Sequence, residues 1–220
     1  MDVSVDTNVL IHLYKAQSKE LLFSSFDKVY AYEYIIDTEL SNNDKNVYCQ
    51  VEKDIDNGKI IKVTNGFLVD KGIKELFEEN YREFKILFAG DRGEAYGIAL
   101  ACAIGIEAFV SDDTKYGGPV ETLVKQLIDD VIPFTFYELL FMKYLKSDID
   151  CNMFNTEFDK ISGTMSNPMK FRMKINWILN RYHKDRGTQR DVGWLSDFCN
   201  EYNIDLRHKI ADLVTYLKKL

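Results

Sequence analysis

The sequence predicts an α/β protein: a mainly parallel central sheet with helices on both faces over residues 1–136, followed by a helical region over 137–220. Three observations carry this expectation. Short β-prone runs alternate with helix-spaced apolar series through the first 136 residues. Two of those runs end directly on acids, at Asp6 and at Asp112-Asp113. Beyond residue 137 the strand pattern stops, and what remains reads as helical throughout.

Val3 and Val5 alternate with Asp2, Ser4 and Asp6, the pattern of a short buried strand. Asp6-Thr7-Asn8 offers cap-type residues before Val9, Leu10 and Leu13, so a helix is expected over 8–16; taken alone Asp6 reads as its cap, and with Asp6 as a ligand the cap falls to Thr7 or Asn8. A second short helix is read over 18–25. The run 28–32 is β-prone and leads into Ile35, Ile36 and Leu40, spaced for a helix carrying Asp37 and Glu39. A helix over 44–56 closes at Asn57-Gly58, a strand covers 59–63, and one or two charged helices cover about 67–88. Asp91 is placed to cap the small-residue helix 96–104, whose Ala99, Ala101, Ala103 and Gly97 let it lie close to a sheet, and Gly105 ends it. A strand over 107–111, a turn at Gly117-Gly118-Pro119, a helix over 119–129 and a strand over 131–136 complete the alternation. Helices are then expected over 137–147, 169–182 with Pro168 in its first turn, 190–202 and 205–219.

With 46% hydrophobic and 29% charged residues the chain has the composition of a soluble globular protein. No run approaches the roughly 18 apolar residues of a membrane span, and no basic segment with a long apolar stretch opens the chain, so a cytoplasmic location is expected. The four cysteines are far apart, without a CxxC pair, which argues against a zinc site or disulfide framework and for reduced, mostly buried thiols. The net charge of −7 is unevenly spread. Residues 165–220 hold 11 Lys and Arg against 6 Asp and Glu, +5, which leaves 17 against 29, or −12, for the rest.

Carboxylates therefore arrive at the ends of four elements: Asp6, Glu39, Glu94, and the pair Asp112 and Asp113. Several acids gathered at one sheet edge repel one another unless a cation neutralises them. Oxygen ligands without His or Cys select Mg²⁺ or Mn²⁺, and such an ion polarises a phosphoryl oxygen and activates water. Phosphodiester hydrolysis is the natural reaction.

The strand-end Asp6-Thr7-Asn8, the helical Glu39-Leu40, the segment Gly93-Glu94-Ala95-Tyr96-Gly97-Ile98-Ala99-Leu100-Ala101 and the strand-end Ser111-Asp112-Asp113 resemble, in order and context, the four acidic motifs of the PIN-domain ribonucleases. The resemblance covers about residues 1–136. It implies a three-layer α/β/α fold, a Mg²⁺ or Mn²⁺ site and endonucleolytic cleavage of single-stranded or structured RNA. Carried over residue by residue, Asp6, Glu39, Glu94 and Asp113 become catalytic, and these together with Asp112 become metal ligands. Period-2 alternation lets only one of Asp112 and Asp113 point straight into a cleft, and the family's Ser/Thr-x-Asp pattern favours Asp113. Many family members carry Asp where Glu94 stands. Since many bacterial members are toxins of toxin–antitoxin pairs, the partners implied are RNA, an antitoxin protein and a second copy of the chain. The competing expectation is a PIN-like module that binds RNA or protein without catalysis.

Outside the motifs, Asp37 and Asp91 lie close enough in sequence to support the ligands, and Asn8 and Ser111 to orient water or a carboxylate. His12 reads as structural or surface. Tyr137, Phe141 and Tyr144 read as core at helical spacing. Lys170, Arg172, Lys174, Arg181, Lys184, Arg186 and Arg190, interleaved with Trp177, Tyr182 and Trp194, suit either a basic and aromatic RNA surface or an amphipathic helical domain with buried aromatics.

Overall fold

The computed structural model of the chain describes residues 1–88, 91–112 and 131–220. It is a mixed α/β protein built on five parallel strands: β1 (Val3–Val5), β2 (Val29–Tyr32), β3 (Ile60–Val63), β4 (Ala108–Val110) and β5 (Ile132–Phe134). Their order is β3-β2-β1-β4-β5. From β1 the chain steps outward to β2 and β3, then returns to the other side of β1 for β4 and steps outward again to β5. The register sets Val3 beside Val29 and Val5 beside Val110. Buried on both faces, the central strands are fully apolar except for Ser4, whose hydroxyl donates to the Gly97 carbonyl at 2.8 Å.

The helices of the first unit are α1 (Thr7–Lys15), α2 (Glu20–Phe23), α3 (Ser41–Asn43), α4 (Lys45–Asp56), α5 (Asn65–Asp70), α6 (Lys74–Leu87) and α7 (Arg92–Ile104). Between β2 and α3 the residues Ile35–Leu40 form a π-helical segment rather than the expected α-turns. Asp44 caps α4, accepting from the Asn46 and Val47 amides. The expected 18–25 helix shrinks to the four residues of α2, because Ser24 and Ser25 turn their hydroxyls back onto Glu20 and Leu21 carbonyls. The charged run after β3 breaks into α5 and α6 at Gly72. Helix α7 starts four residues earlier than its apolar pattern suggests, because Asp91 caps it at Arg92 and the Glu94 amide donates to Asp91. Its close fit depends on glycine: a Cβ on Gly97 would stand 2.6 Å from the Phe109 ring. Gly105, at φ 72°, ends it in the left-handed conformation.

By its internal contacts the chain divides into two units, 1–136 and 137–220. The second is helical: α8 (Phe136–Leu145) leads into it, followed by α9 (Cys151–Ser162), α10 (Phe171–Arg181), α11 (Gln189–Glu201) and α12 (Leu206–Leu217). Pro168 lies outside α10, whose N-cap is Lys170. Phe154, Phe158, Ile175, Ile178 and Leu213 are fully buried in this unit, as are Tyr137, Phe141 and Tyr144, in accord with their helical spacing. The thiols are free, but only Cys199 is buried; Cys49 is exposed. No helix among the described residues is long and apolar enough to cross a membrane. The expected turn at Gly117-Gly118-Pro119, the helix over 119–129 and Asp113 lie outside the described residues.

Candidate functional site

Strand order places a topological switch between β1 and β4, where connections leave the sheet in opposite directions and open a crevice at the carboxyl ends. Asp6 follows β1 directly and its amide donates to the Val110 carbonyl at 3.0 Å, so it stands at that crevice. It is also the cap of α1: Oδ1 accepts from the Thr7 amide at 2.7 Å and Oδ2 from the Asn8 amide at 3.4 Å. The cap is thus Asp6, as it reads taken alone, and not Thr7 or Asn8, since a residue ending a strand in extended backbone already has the cap's dihedrals.

Glu39 reaches the same place from the π segment. Its Oε2 accepts from the Thr7 hydroxyl at 2.6 Å, while Asp37, two residues earlier, points outward to Lys62. The Glu39 carboxylate sits against the bare backbone of Gly93, where a Cβ would lie 2.2 Å from Oε2. Asp91 closes the group. Asp6, Thr7, Asn8, Tyr34, Thr38, Glu39, Asn42, Asn43 and Asp91 line one open cleft of about 380 Å³.

The carboxylates of this cleft feel one another. Burial, then the charges of Glu39 and Asp91, push the Asp6 carboxyl up from 3.8 to about 7, against the lowering effect of its two amide donors. Glu39 is raised as well, first by burial and then by Asp91, despite the Thr7 and Gly93 donors. Ser111 leans on Asp6 Oδ2 at 3.4 Å.

The remaining predicted residues are placed differently. Glu94 is buried in the first turn of α7. Asp112 is buried and held: its Oδ1 accepts from the Phe136 amide at 3.1 Å and its Oδ2 lies 2.9 Å from His12 Nδ1. His12, read from sequence as structural or surface, is therefore the partner of a candidate ligand. Its position one helical turn beyond Asn8 carries no sequence signal of that pairing, because Asp112 lies 100 positions away and meets α1 only through the fold. Among the described residues no group of three or more His, Cys, Asp or Glu is arranged to hold a metal ion. The cleft's acids, in a lining without His or Cys, nonetheless fit Mg²⁺ or Mn²⁺, since Mg²⁺ is usually held by one or two carboxylates and keeps several waters. A cation there would also relieve the repulsion that raises Asp6.

The basic and aromatic residues of the second unit divide. Arg181 is buried and bound by Glu138 and by Asp191 at 2.7 Å, and Arg190 reaches Asp191 at 2.9 Å. Tyr182 is buried against Phe141. Two of the seven cations are thus committed to internal ion pairs, because a buried carboxylate without a partner costs several kcal/mol. Lys170, Arg172, Lys184 and Arg186 are exposed.

Comparisons of the chain with family models, with curated proteins and with solved structures each return no match.

Proposed function

We propose that the chain is a Mg²⁺- or Mn²⁺-dependent endoribonuclease with a PIN-like three-layer first unit, acting in the cytoplasm. The observation that carries this reading is the cleft at the switch point, where buried Asp6 faces Glu39 and Asp91 and its carboxyl is raised to about 7. Asp6 and Glu39 would hold the ion, with Asp91 beside them on the cleft wall; the PIN resemblance adds Glu94 and Asp112 or Asp113, of which Glu94 and Asp112 are not among the residues lining this cleft. A bound divalent ion supplies charge neutralisation at the phosphoryl oxygens and lowers the pKa of water at neutral pH.

The chain's own groups do the rest. The Thr7 hydroxyl and the Gly93 backbone set the direction of the Glu39 carboxylate. The Asn8 and Thr7 amides and the Ser111 hydroxyl set that of Asp6. The role of a toxin neutralised by an antitoxin, and of a homodimer, belongs to the same proposal.

The deciding experiment is cleavage of a mixed RNA substrate by purified protein with Mn²⁺ or Mg²⁺. Asp6→Asn is expected to lower the rate by a factor of 100 or more, and EDTA to abolish it. Undiminished cleavage in either case would refute the carboxylate–metal reading.

A further inference from the structure

One side chain on the wall of the acidic cleft is not explained by ion binding. Tyr34 lines the cleft with Asp6 and Glu39 and is only half-buried. Behind it stands a ladder of rings. Tyr34 packs on Tyr96 at 4.8 Å; Tyr96 lies flat on Tyr81 at 3.9 Å and 2°, and touches Tyr32 at 4.8 Å. The Tyr34 ring is thus packed against Tyr96, yet the side chain lines the cleft and keeps part of its surface exposed. Beside it is a cation. Arg92 is the first residue of α7, between Asp91, which lines the cleft, and Gly93, on which Glu39 rests, and its exposed guanidinium lies next to the Tyr34 hydroxyl. The exposed amides of Asn8 and Asn43 line the same cleft and offer both donors and acceptors.

A braced aromatic ring, a neighbouring guanidinium and a metal-suited acid group fit a flexible nucleic-acid strand whose bases are unpaired. Such a base stacks on an aromatic face, and its phosphate pairs with Arg. A duplex cannot offer a free base face without unstacking. We propose that Tyr34 is a base-stacking platform for single-stranded RNA crossing the cleft, with Arg92 contacting the adjoining phosphate. This rests on the ribonuclease reading for its substrate and narrows that substrate to unpaired segments.

The test uses the full chain with Asp6→Asn, which keeps the strand intact, and a short single-stranded ribo-oligonucleotide containing 2-aminopurine, whose fluorescence falls when it stacks. Binding is expected to quench it, and a duplex of the same sequence to bind more weakly. Adding Tyr34→Ala should remove the quench and weaken affinity about tenfold to a hundredfold, while Tyr34→Phe keeps both. Arg92→Gln should keep the quench and lower the salt dependence by about one phosphate contact. Quenching and affinity retained in Tyr34→Ala, or a duplex bound as tightly as the single strand, would overturn the platform. A wild-type chain that stacks the oligonucleotide yet cleaves none of it with Mn²⁺ would overturn the nuclease reading and leave the platform standing. Cleavage by the wild type with no quench in any variant would do the reverse, and failure to bind any RNA would end both.

Discussion

Asp6 does two jobs whose electrostatic demands conflict. As the cap of α1 it favours the ionised form through two amide donors, while burial and the Glu39 and Asp91 charges favour the neutral one, and the latter prevail. A carboxyl raised from 3.8 to about 7 takes up a proton on folding, so its contribution to stability is fullest below about pH 4 and is lost as the pH rises toward 7. Metal-free protein is therefore expected to melt at a lower temperature at pH 8 than at pH 5. Asp6→Asn, which has no charge to bury, should flatten that difference and stabilise the metal-free chain at pH 8 by about 2 kcal/mol. Calorimetry across this range, repeated with Mn²⁺, checks both: the ion should raise the wild-type midpoint at pH 8 and leave the Asn variant nearly unmoved. An unchanged slope with pH in the variant would mean that other groups set it.

At the scale of elements, α7 is the piece that brings the acids together. It crosses β1, β2 and β4, and two of its residues show how closely: Gly97 meets Phe109 and takes the Ser4 hydroxyl on its carbonyl, and Gly93 yields its side-chain space to Glu39. The two glycines should respond differently. Gly97→Ala forces a Cβ into the Phe109 ring and is expected to cost about 1–3 kcal/mol in urea unfolding. Gly93→Ala improves helix propensity, yet its Cβ would displace the Glu39 carboxylate, so cleavage should fall tenfold or more at little or no cost in stability. Equal losses of stability in both variants would count against this division. The π segment serves the same end from the other side of the cleft. Its wider turn leaves Asp37 with Lys62 outside and presents Glu39 to Thr7 inside.

Across the whole chain, each unit has its own buried ionic anchor. In the first, Asp54 accepts from the Tyr14 hydroxyl and from Lys19, both at 2.6 Å. In the second, Arg181 joins Glu138 on α8 to Asp191 on α11, and Arg190 adds a second cation to Asp191. Burial pushes the Asp191 carboxyl up, but the two guanidinium groups outweigh it and leave the carboxyl below its ordinary 3.8. A depressed folded-state pKa gives stability that is present above about pH 4 and is lost as the pH falls through the folded value. The helical unit should therefore lose its tertiary packing in acid. Arg181→Met, which takes the shared cation from Glu138 and leaves Asp191 with Arg190 alone, should cost about 3–5 kcal/mol at pH 7 and less near pH 3, where an acid deprived of its cation can bind a proton. Near-ultraviolet circular dichroism during urea titrations at the two pH values reads this out, and an equal cost at both would argue against the ionic origin.

Much of this molecule follows from local sequence. Val3, Val5, Val29, Ala31, Ile60 and Val63 specify strands, Asp44, Asp91 and Asp150 specify helix starts, and Gly105 a helix end, because period-2 burial, side-chain caps and positive φ are decided within a few residues. The acids at Asp6, Glu39, Glu94 and Asp112 were legible in the same way as residues near strand and helix ends. Which of them meet was not. Asp6 faces Glu39 and Asp91 because β4 returns to the far side of β1 and because Gly93 makes room; Asp112 turns to His12 and the Phe136 amide; Arg181 leaves the expected basic surface for two buried acids. Each of these pairings joins residues from 10 to 100 positions apart. Their energies depend on distance and desolvation in the folded chain, quantities that no stretch of sequence contains until the strands have taken their order.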